Sequence, residues 1–373
     1  MTLTLRTITS EEHLAFIRTL PSASHMQLPS WGEVKAEWRT ESIGWVDEDS
    51  GQIVGVALVL YRQLPKLRRY LAYLPEGPVI DWFDPDLERW LQPMLAHLRA
   101  QGAFSVKMGP PVVIRRWGAA TVKEAIAAKE AKRLRDIEPD WSEPRAFELA
   151  DRLRRAGWLQ GEDGGAGFGD VQPRYVFQVP LADRSLDDIQ RGFNQQWRRN
   201  IKKAEKSGVE VVQGGFEDLA AFHRLYLVTA ERDHFTPRPL SYFQRMWTAL
   251  NAEDPNRMRL YLACHEGEAL AATTMLTVGE HVWYSYGASA NHKREVKPSN
   301  AVQWRMMRDA YALGAGRYDL RGISDTLDES DHLFGLIQFK LGTGGEAAEY
   351  LGEWDFPLNR VLHKALDLYL KRR

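Results

Sequence analysis

Apolar residues recur at steps of three and four from Leu186 through Ile189, Phe193, Trp197 and Ile201 to Ala204, the spacing of one helical stripe. Ser185, with Asp188 three residues on, opens that stretch as a cap, and Gly208 supplies a left-handed stop. The pattern predicts a helix over 185–207 and a strand in the following VEVV. Earlier, residues 3–20 read as a strand and then a helix capped by Ser10. A short helical segment from Pro29 carries Trp31, Val34, Lys35 and Trp38. IGWVDEDSGQIVGVALVLYR reads strand, turn at Asp49 to Gly51, strand, and RRYLAYLPEGPVIDW is a third strand. DLERWLQPMLAHLRAQG is a helix closed by Gly102, and AFSVKMGPP is a strand stopped by two prolines.

The second half repeats that order. RLYLACHEGEALAATTMLTVG is strand, turn, strand; EHVWYSYGASA is a strand; SNAVQWRMMRDAYALGAG is a helix; GRYDLRGIS closes the unit. Gly51 aligns with Gly267 and Gly102 with Gly314, so two β-β-β-α-β units are expected from a duplication. The expected domains are 1–178, with a helical and glycine-rich insertion at about 112–173, and 179–373, with the helix at 185–207 and a C-terminal amphipathic helix at 357–373. Within the insertion, residues 119–135 read as one helix of strong formers. GEDGGAGFGDVQP at 161–173 lacks the GxxxxGK[ST] spacing of a phosphate loop and reads as a flexible surface loop.

Charge changes this picture at one place. Over 373 residues the net charge is −1, yet Arg198, Arg199, Lys202, Lys203 and Lys206 gather on one helix. That face is either a solvated surface or a polyanion site. The single cysteine, Cys264, excludes an internal disulfide and reads as buried core in a reducing cytoplasm. No signal peptide or membrane-length apolar run is read, so a cytoplasmic protein is expected. HEGE at 265–268 lacks the HExxH ligand spacing and no GxSxG elbow occurs, so no metal and no cofactor is expected. The repeated strand order resembles the GNAT acyltransferase topology. Where coenzyme A users of that kind carry a glycine turn before a helix, this chain has Pro298, Ser299 and Asn300. That counts against a coenzyme A donor, although Lys293, Arg294 and Lys297 still favour anions at the turn.

WRRNIKKAEKSGVEV, LYLVTAERDHFTPRPLSYF, YSYGAS, YDLRGI and GLIQFKLGTGGEAAEYLGEWD, with WGEVK near the start, together resemble the Fem family of nonribosomal peptidyltransferases (FemA/FemB/FemX type). The resemblance implies an α/β fold of tandem GNAT-like domains. About twenty residues separate Gly208 from Thr229, so no long coiled-coil insertion is expected. It implies an aminoacyltransferase that moves an amino acid from aminoacyl-tRNA to the side-chain amine of the diamino acid in a peptidoglycan precursor. Glycine is expected, with alanine or serine as alternatives, and the precursor is nucleotide-linked or lipid-linked. The resemblance assigns Lys340 to polarising the ester carbonyl. Asp319 and Asp325 are the nearest candidates for a base or orienting acid. Lys35, Arg232, Tyr284 and Tyr286 match positions that grip the acceptor's phosphates and sugar, and the five cations of the basic helix would contact tRNA phosphates. Met108-Gly109-Pro110 departs from relatives that carry an acid before the proline. DNA is not an expected partner; the inner membrane face is, peripherally, through the C-terminal helix. Two rival readings stay open: an acyl-coenzyme A N-acyltransferase on a small amine, and a non-catalytic RNA-binding protein.

Overall fold

A computed structural model describes residues 2–161 and 170–370. The chain runs β1 (Leu3–Thr7), α1 (Ser10–Ile17), α2 (Pro29–Val34), β2 (Arg39–Asp47), β3 (Ile53–Gln63), β4 (Tyr70–Leu74), α3 (Glu88–Ala100) and β5 (Ala103–Met108). It continues with β6 (Val113–Gly118), α4 (Ala119–Ala128), β7 (Trp141–Ser142), α5 (Pro144–Arg155), β8 (Leu159–Gln160) and β9 (Tyr175–Pro180). Then come α6 (Leu186–Gly192), α7 (Gln195–Lys206), β10 (Glu210–Gly214), α8 (Leu219–Asp233), α9 (Leu240–Glu253), β11 (Met258–His265), β12 (Glu268–Val278) and β13 (His281–Ser289). The chain closes with α10 (Pro298–Ala312), β14 (Arg317–Gly322), α11 (Phe334–Leu341), β15 (Glu346–Tyr350), β16 (Trp354–Phe356) and α12 (Arg360–Leu370).

Two compact units result, each with its own apolar core. The first sheet has the order β1-β2-β3-β4-β5-β16-β8, and the second carries β10-β11-β12-β13-β14-β9-β15. In each, four strands pair antiparallel and the fourth pairs parallel with the fifth, which takes an antiparallel neighbour on its far side. The duplication is therefore one of topology. One difference separates the copies. In the first unit the parallel pair β4–β5 stays joined from Tyr70 opposite Ala103 to Leu74 opposite Met108, with one shift of register after Tyr70. In the second, β13 meets β14 only from His281–Arg317 to Trp283–Asp319, and the strands then part.

The units interleave instead of dividing near residue 178. The first comprises residues 1–116, 141–174 and 349–373, and the second 117–140 and 175–348. The C-terminal β16 closes the first unit's sheet beside β5, a long-range pairing that no local pattern reveals. Thr9, not Ser10, caps α1, because its side chain accepts from Glu12 N while Glu12 reaches back to Thr9 N. The helix expected over 119–135 stops at Lys129, whose backbone turns left-handed. Leu134 is buried there and its N–H donates to the Asp325 carbonyl at 2.8 Å, while Leu327 N donates to Lys132 O at 2.7 Å. Pairing with a distant segment overrides the helical propensity of KEAKRLR. The C-terminal helix starts at Arg360 and not at 357, because Asn359 Oδ1 accepts from both Val361 N and Leu362 N. Most of the glycine-rich loop, 162–169, and the basic tip, 371–373, lie outside the described residues.

The predicted helix over 185–207 is two helices. Phe193 is extended and buried between Trp197 and Trp304, and Asn194 restarts the helix by accepting from Trp197 N at 2.8 Å. The apolar stripe runs through the break, which is why periodicity alone hides it. Beneath it lies the turn Gly342-Thr343-Gly344-Gly345. A Cβ on Gly342 would fall 2.1 Å from the Trp197 ring, one on Gly344 2.1 Å from Gly192 O, and one on Gly345 2.2 Å from Gln178 O. These glycines admit close approach and are not a phosphate cradle. Gly342→Ala should therefore destabilise the fold by about 1–3 kcal/mol through overpacking. Gly335→Ala, where nothing lies within 4 Å of the new methyl, should be neutral or stabilising. Urea midpoints of the two variants check this; equal midpoints would mean the turn yields to Trp197.

Candidate active site

The parting of β13 and β14 opens the second unit. On its other edge β13 is bulged: Thr274 faces Tyr286 and Met275 faces Tyr284, which leaves Ser285 without a ladder partner. The same unit holds a cavity of about 1340 Å³, walled by Thr273, Tyr284 and Ser289 of the sheet, Arg232 of α8, the first turn of α10 and Phe339 of α11. Tyr284 lies across Gly287, where a Cβ would meet its hydroxyl at 1.8 Å. Burial, helped by the charge of Asp233, pushes that phenol up to about 12, so it is a neutral donor at ordinary pH. Arg232 pairs with Asp233 at 2.9 Å and also donates to Asn291 Oδ1 at 3.1 Å and Ser289 Oγ at 3.3 Å, so its guanidinium is fixed at the cavity wall. At the start of α10, Lys297 is left-handed and Pro298 offers no N–H. Arg294 and Lys297 line the cavity, whereas Lys293 is held by Glu266 at 2.9 Å and Glu268 at 3.4 Å.

Behind the wedge, Lys340 is 3 % exposed and donates to Gly322 O at 2.6 Å and Arg321 O at 3.2 Å. Two of its three N–H donors go to the end of β14. Burial pulls its ammonium down to about 7; the charge of Asp319 works against that, and that of Arg321 with it. Asp319, also buried, accepts from Arg321 N at 2.6 Å and Gln178 Nε2 at 2.9 Å, and its carboxylate lies 3.2 Å from His281 Nε2. Burial alone would raise this carboxyl, but His281, Arg321 and Gln178 hold it at about 2. An acceptor so fully occupied is a poor proton acceptor. His281 in turn stacks on Trp283, ring centroids 3.9 Å apart, so the network is anchored at the last paired residues of the wedge.

A sequence profile described as the FemAB family matches residues 8–266 and 261–371. The chain belongs to the FemAB family. It is 26% identical to the lipid II:glycine glycyltransferase of Staphylococcus haemolyticus (strain JCSC1435), over 96% of this chain and 94% of that protein. The crystal structure of FemX superposes with a TM-score of 0.79 at 23% identity, covering 97% of this chain and 99% of that one. A tandem GNAT protein from the clavulanic acid biosynthesis pathway gives a TM-score of 0.52 at 11% identity, over 96% and 99% of the two chains. The FemAB fold is thus a pair of GNAT-like units, and the chain is a transferase.

In this FemAB transferase, Arg232 and Tyr284 meet in the cavity, and Lys340 and Asp319 meet behind it. Other expected residues stand elsewhere. Tyr286 is in an aromatic cluster, its hydroxyl 3.2 Å from that of Tyr242 and its ring against Phe243. Asp325 is 3.7 Å from Arg133 and its carbonyl anchors Leu134, so it holds the segment after α4. Lys35 belongs to the first unit, its ammonium 5.1 Å from the Trp31 ring. Arg198 donates to the carbonyls of Arg191 and Phe193 and clamps the break between α6 and α7. Arg199, Lys202, Lys203 and Lys206 are exposed and make no ion pair among the described residues. Cys264 is half-buried, not core, and burial near Glu210 and Asp218 raises its thiol.

Among the described residues three buried acids, Asp84, Glu349 and Glu353, were not singled out from the sequence. Glu353, 2 % exposed in the first unit, accepts from Tyr73 Oη at 2.6 Å and Val171 N at 2.9 Å, with Lys107 Nζ at 3.6 Å. Burial raises its carboxyl, against the pull of Lys107 and Tyr73. A Cβ on Gly109 would lie 3.5 Å from Glu353 Cγ, so this acid fills the space beside Met108-Gly109-Pro110. The signal was the acid of GEWD, far away in sequence. For Asp319, a folded value near 2 against 3.8 unfolded means its stabilisation is complete above about pH 4 and is lost as pH falls towards 2. Asp319→Asn should cost about 2 kcal/mol at pH 7 and about half that near pH 3, read from urea midpoints at the two pH values. A gap independent of pH would assign the loss to packing.

Proposed function

We propose that this FemAB transferase moves an amino acid from aminoacyl-tRNA to the side-chain amine of a diamino acid in a peptidoglycan precursor's stem peptide. The observation that carries the reading is the cavity of the second unit beside a helix four of whose five cations make no ion pair among the described residues. Relatives named lipid II:glycine glycyltransferases support a muropeptide acceptor and glycine as the amino acid, and a lipid-linked acceptor would bring the protein to the cytoplasmic face of the membrane. No helix among the described residues is long and apolar enough to cross one. The start of α10 counts against coenzyme A, because Pro298 and left-handed Lys297 replace the glycine turn that would receive a pyrophosphate.

An aminoacyl ester is already activated. The amine nitrogen attacks the carbonyl carbon, the C–N bond forms, the ester C–O bond breaks, and the ribose oxygen leaves with a proton from the amine. The protein aligns the reactants and stabilises the oxyanion. Lys340 supplies its remaining N–H to that oxygen, Asp319 orients the assembly, and Arg232 and Tyr284 hold the acceptor's phosphates and sugar. Arg199, Lys202, Lys203 and Lys206 take tRNA phosphates, while Arg198 serves the fold.

Incubating the protein with charged tRNA and each precursor, and weighing the product, tests the reading directly. Transfer from acetyl-coenzyme A to an amine, with none from charged tRNA, would establish the rival N-acyltransferase. Replacing Arg199, Lys202 and Lys203 by Gln should weaken tRNA binding and flatten its salt dependence, by roughly 0.9 in slope for each phosphate no longer neutralised; an unchanged slope returns the helix to solvent.

Lys340→Met should lower single-turnover transfer by about two to three orders of magnitude, with acceptor affinity much less affected. Burial pulls its ammonium down to about 7, so the wild-type rate relative to that of Lys340→Arg should fall as pH rises through that value, the acceptor amine's own deprotonation raising both alike. Lys340→Arg stays charged and should lose that falling limb. A relative rate that climbs through pH 7 would make Lys340 a base.

A further inference from the structure

Three acid-free stretches of the chain meet at one end of the first unit's sheet. No Asp or Glu occurs between Ser50 and Glu76, between Glu88 and Glu124, or between Asp355 and Asp367. The first stretch holds the β3–β4 hairpin, whose tip closes with Leu64 N donating to Arg69 O at 2.9 Å. The second holds the turn from α3 into β5. There Tyr70 N donates to Gly102 O at 3.2 Å, so hairpin and turn are neighbours. The third holds the start of α12, and Asn359 N donates to Phe104 O at 2.7 Å, two residues further on. Strand pairing therefore gathers, within one unit, cations that the sequence keeps scattered.

Lys66, Arg68 and Arg69 at the hairpin tip, Arg99 at the turn, and Arg360 and Lys364 of α12 are all exposed, and none makes an ion pair among the described residues. Glu41, the carboxylate on this part of β2, is spent on Tyr61 at 2.6 Å and His97 at 2.9 Å. Glu37 precedes β2 and Asp367 follows Lys364 by one turn, so the balance stays positive. Aliphatic side chains stand among these charges. Leu67, at the hairpin tip, is 47 % exposed, and Val361, in the first turn of α12, is 77 % exposed. One exposed leucine is ordinary, but a leucine on a cationic tip beside an exposed valine makes an amphipathic end. That combination fits a bilayer with anionic headgroups, where cations meet phosphates and aliphatics enter the acyl boundary. A nucleic acid would use aromatic faces for stacking. Those of Tyr61 and Tyr70 carry the Arg39 guanidinium, 3.9 and 4.8 Å from their centroids.

We propose that this end of the first unit is a docking face for an anionic lipid bilayer, with Lys66, Arg68, Arg69 and Lys364 on the headgroups and Leu67 and Val361 entering the acyl boundary. Its purpose rests on the lipid-linked acceptor reading above: the face holds the protein beside a substrate that cannot leave the bilayer. Its chemistry rests on the charges and aliphatics alone.

Sedimentation of the whole protein with vesicles tests the face, using phosphatidylcholine alone or with an equal part of phosphatidylglycerol. Wild type should bind only the mixed vesicles, and less as salt rises. Lys66→Gln/Arg68→Gln/Arg69→Gln should weaken that binding by about a hundredfold, about fivefold for each cation. Leu67→Ser keeps every charge and should still weaken it severalfold. All four side chains are exposed, so folding should be intact. The triple variant should transfer normally to a lipid-linked precursor in neutral detergent micelles, and poorly to the same precursor in mixed vesicles. No binding by wild type, equal binding to both vesicles, or unchanged affinity in either variant overturns the face. So does a triple variant that keeps the vesicles but loses charged tRNA, which would give the patch to RNA. Vesicle binding as expected, with no transfer from any charged RNA, sinks the functional reading and leaves the face standing.

Discussion

The second unit depends on where one parallel ladder stops. β13 and β14 share three residue pairs and then part, and the buried Asp319 and Lys340 stand at the parting. The bulge at Ser285 bends β13 away, and the buried Asp319 terminates the pairing on β14 by turning its carboxylate to Arg321 N, Gln178 and His281. An open sheet interior needs this reinforcement, since backbone groups released from a ladder must find other partners. Lys340 serves the same need, donating to the carbonyls of Arg321 and Gly322 just past the last paired residue. Structural satisfaction and chemical potential are combined in one side chain.

Duplication supplied two copies of the topology, but only one is open. The first unit keeps β4 and β5 paired to their ends, and so offers no wedge of its own. It carries a buried acid instead: Glu353, on the return segment leading into β16, lies beside Gly109 with Tyr73 and Lys107 as partners. Gly109 thus has a carboxyl group beside it, although β5 itself carries none.

Charge in the second unit is sorted by function of position. Arg198 is bound to carbonyls at the helix break, Lys293 to two glutamates and Arg232 to Asp233, so these cations stabilise loops and walls. The cations left exposed on α7 are all on the face away from Trp197, Ile201 and Ala204. A helix with this division binds its own core by one stripe and presents the other, cationic, to solvent.

Strand order, the tight turns at Gly51 and Gly267, and the helices closed by Gly102 and Gly314 were legible in the sequence, because period-two and period-3.6 patterns and glycine stops are local. So was the basic face of α7, and the family resemblance carried by dispersed blocks. The sequence could not show the break at Phe193, since the apolar stripe passes through it and only Asn194 and the glycine turn below decide it. Nor could it show that β16 returns to the first unit, that Glu353 stands beside Gly109, or that Tyr286 and Asp325 are committed to packing and pairing. Each of these is a contact between residues distant in sequence, and local pattern carries no information about which distant partner will satisfy a given group. Tertiary structure alone made those choices, through burial and the requirement that buried polar groups be paired.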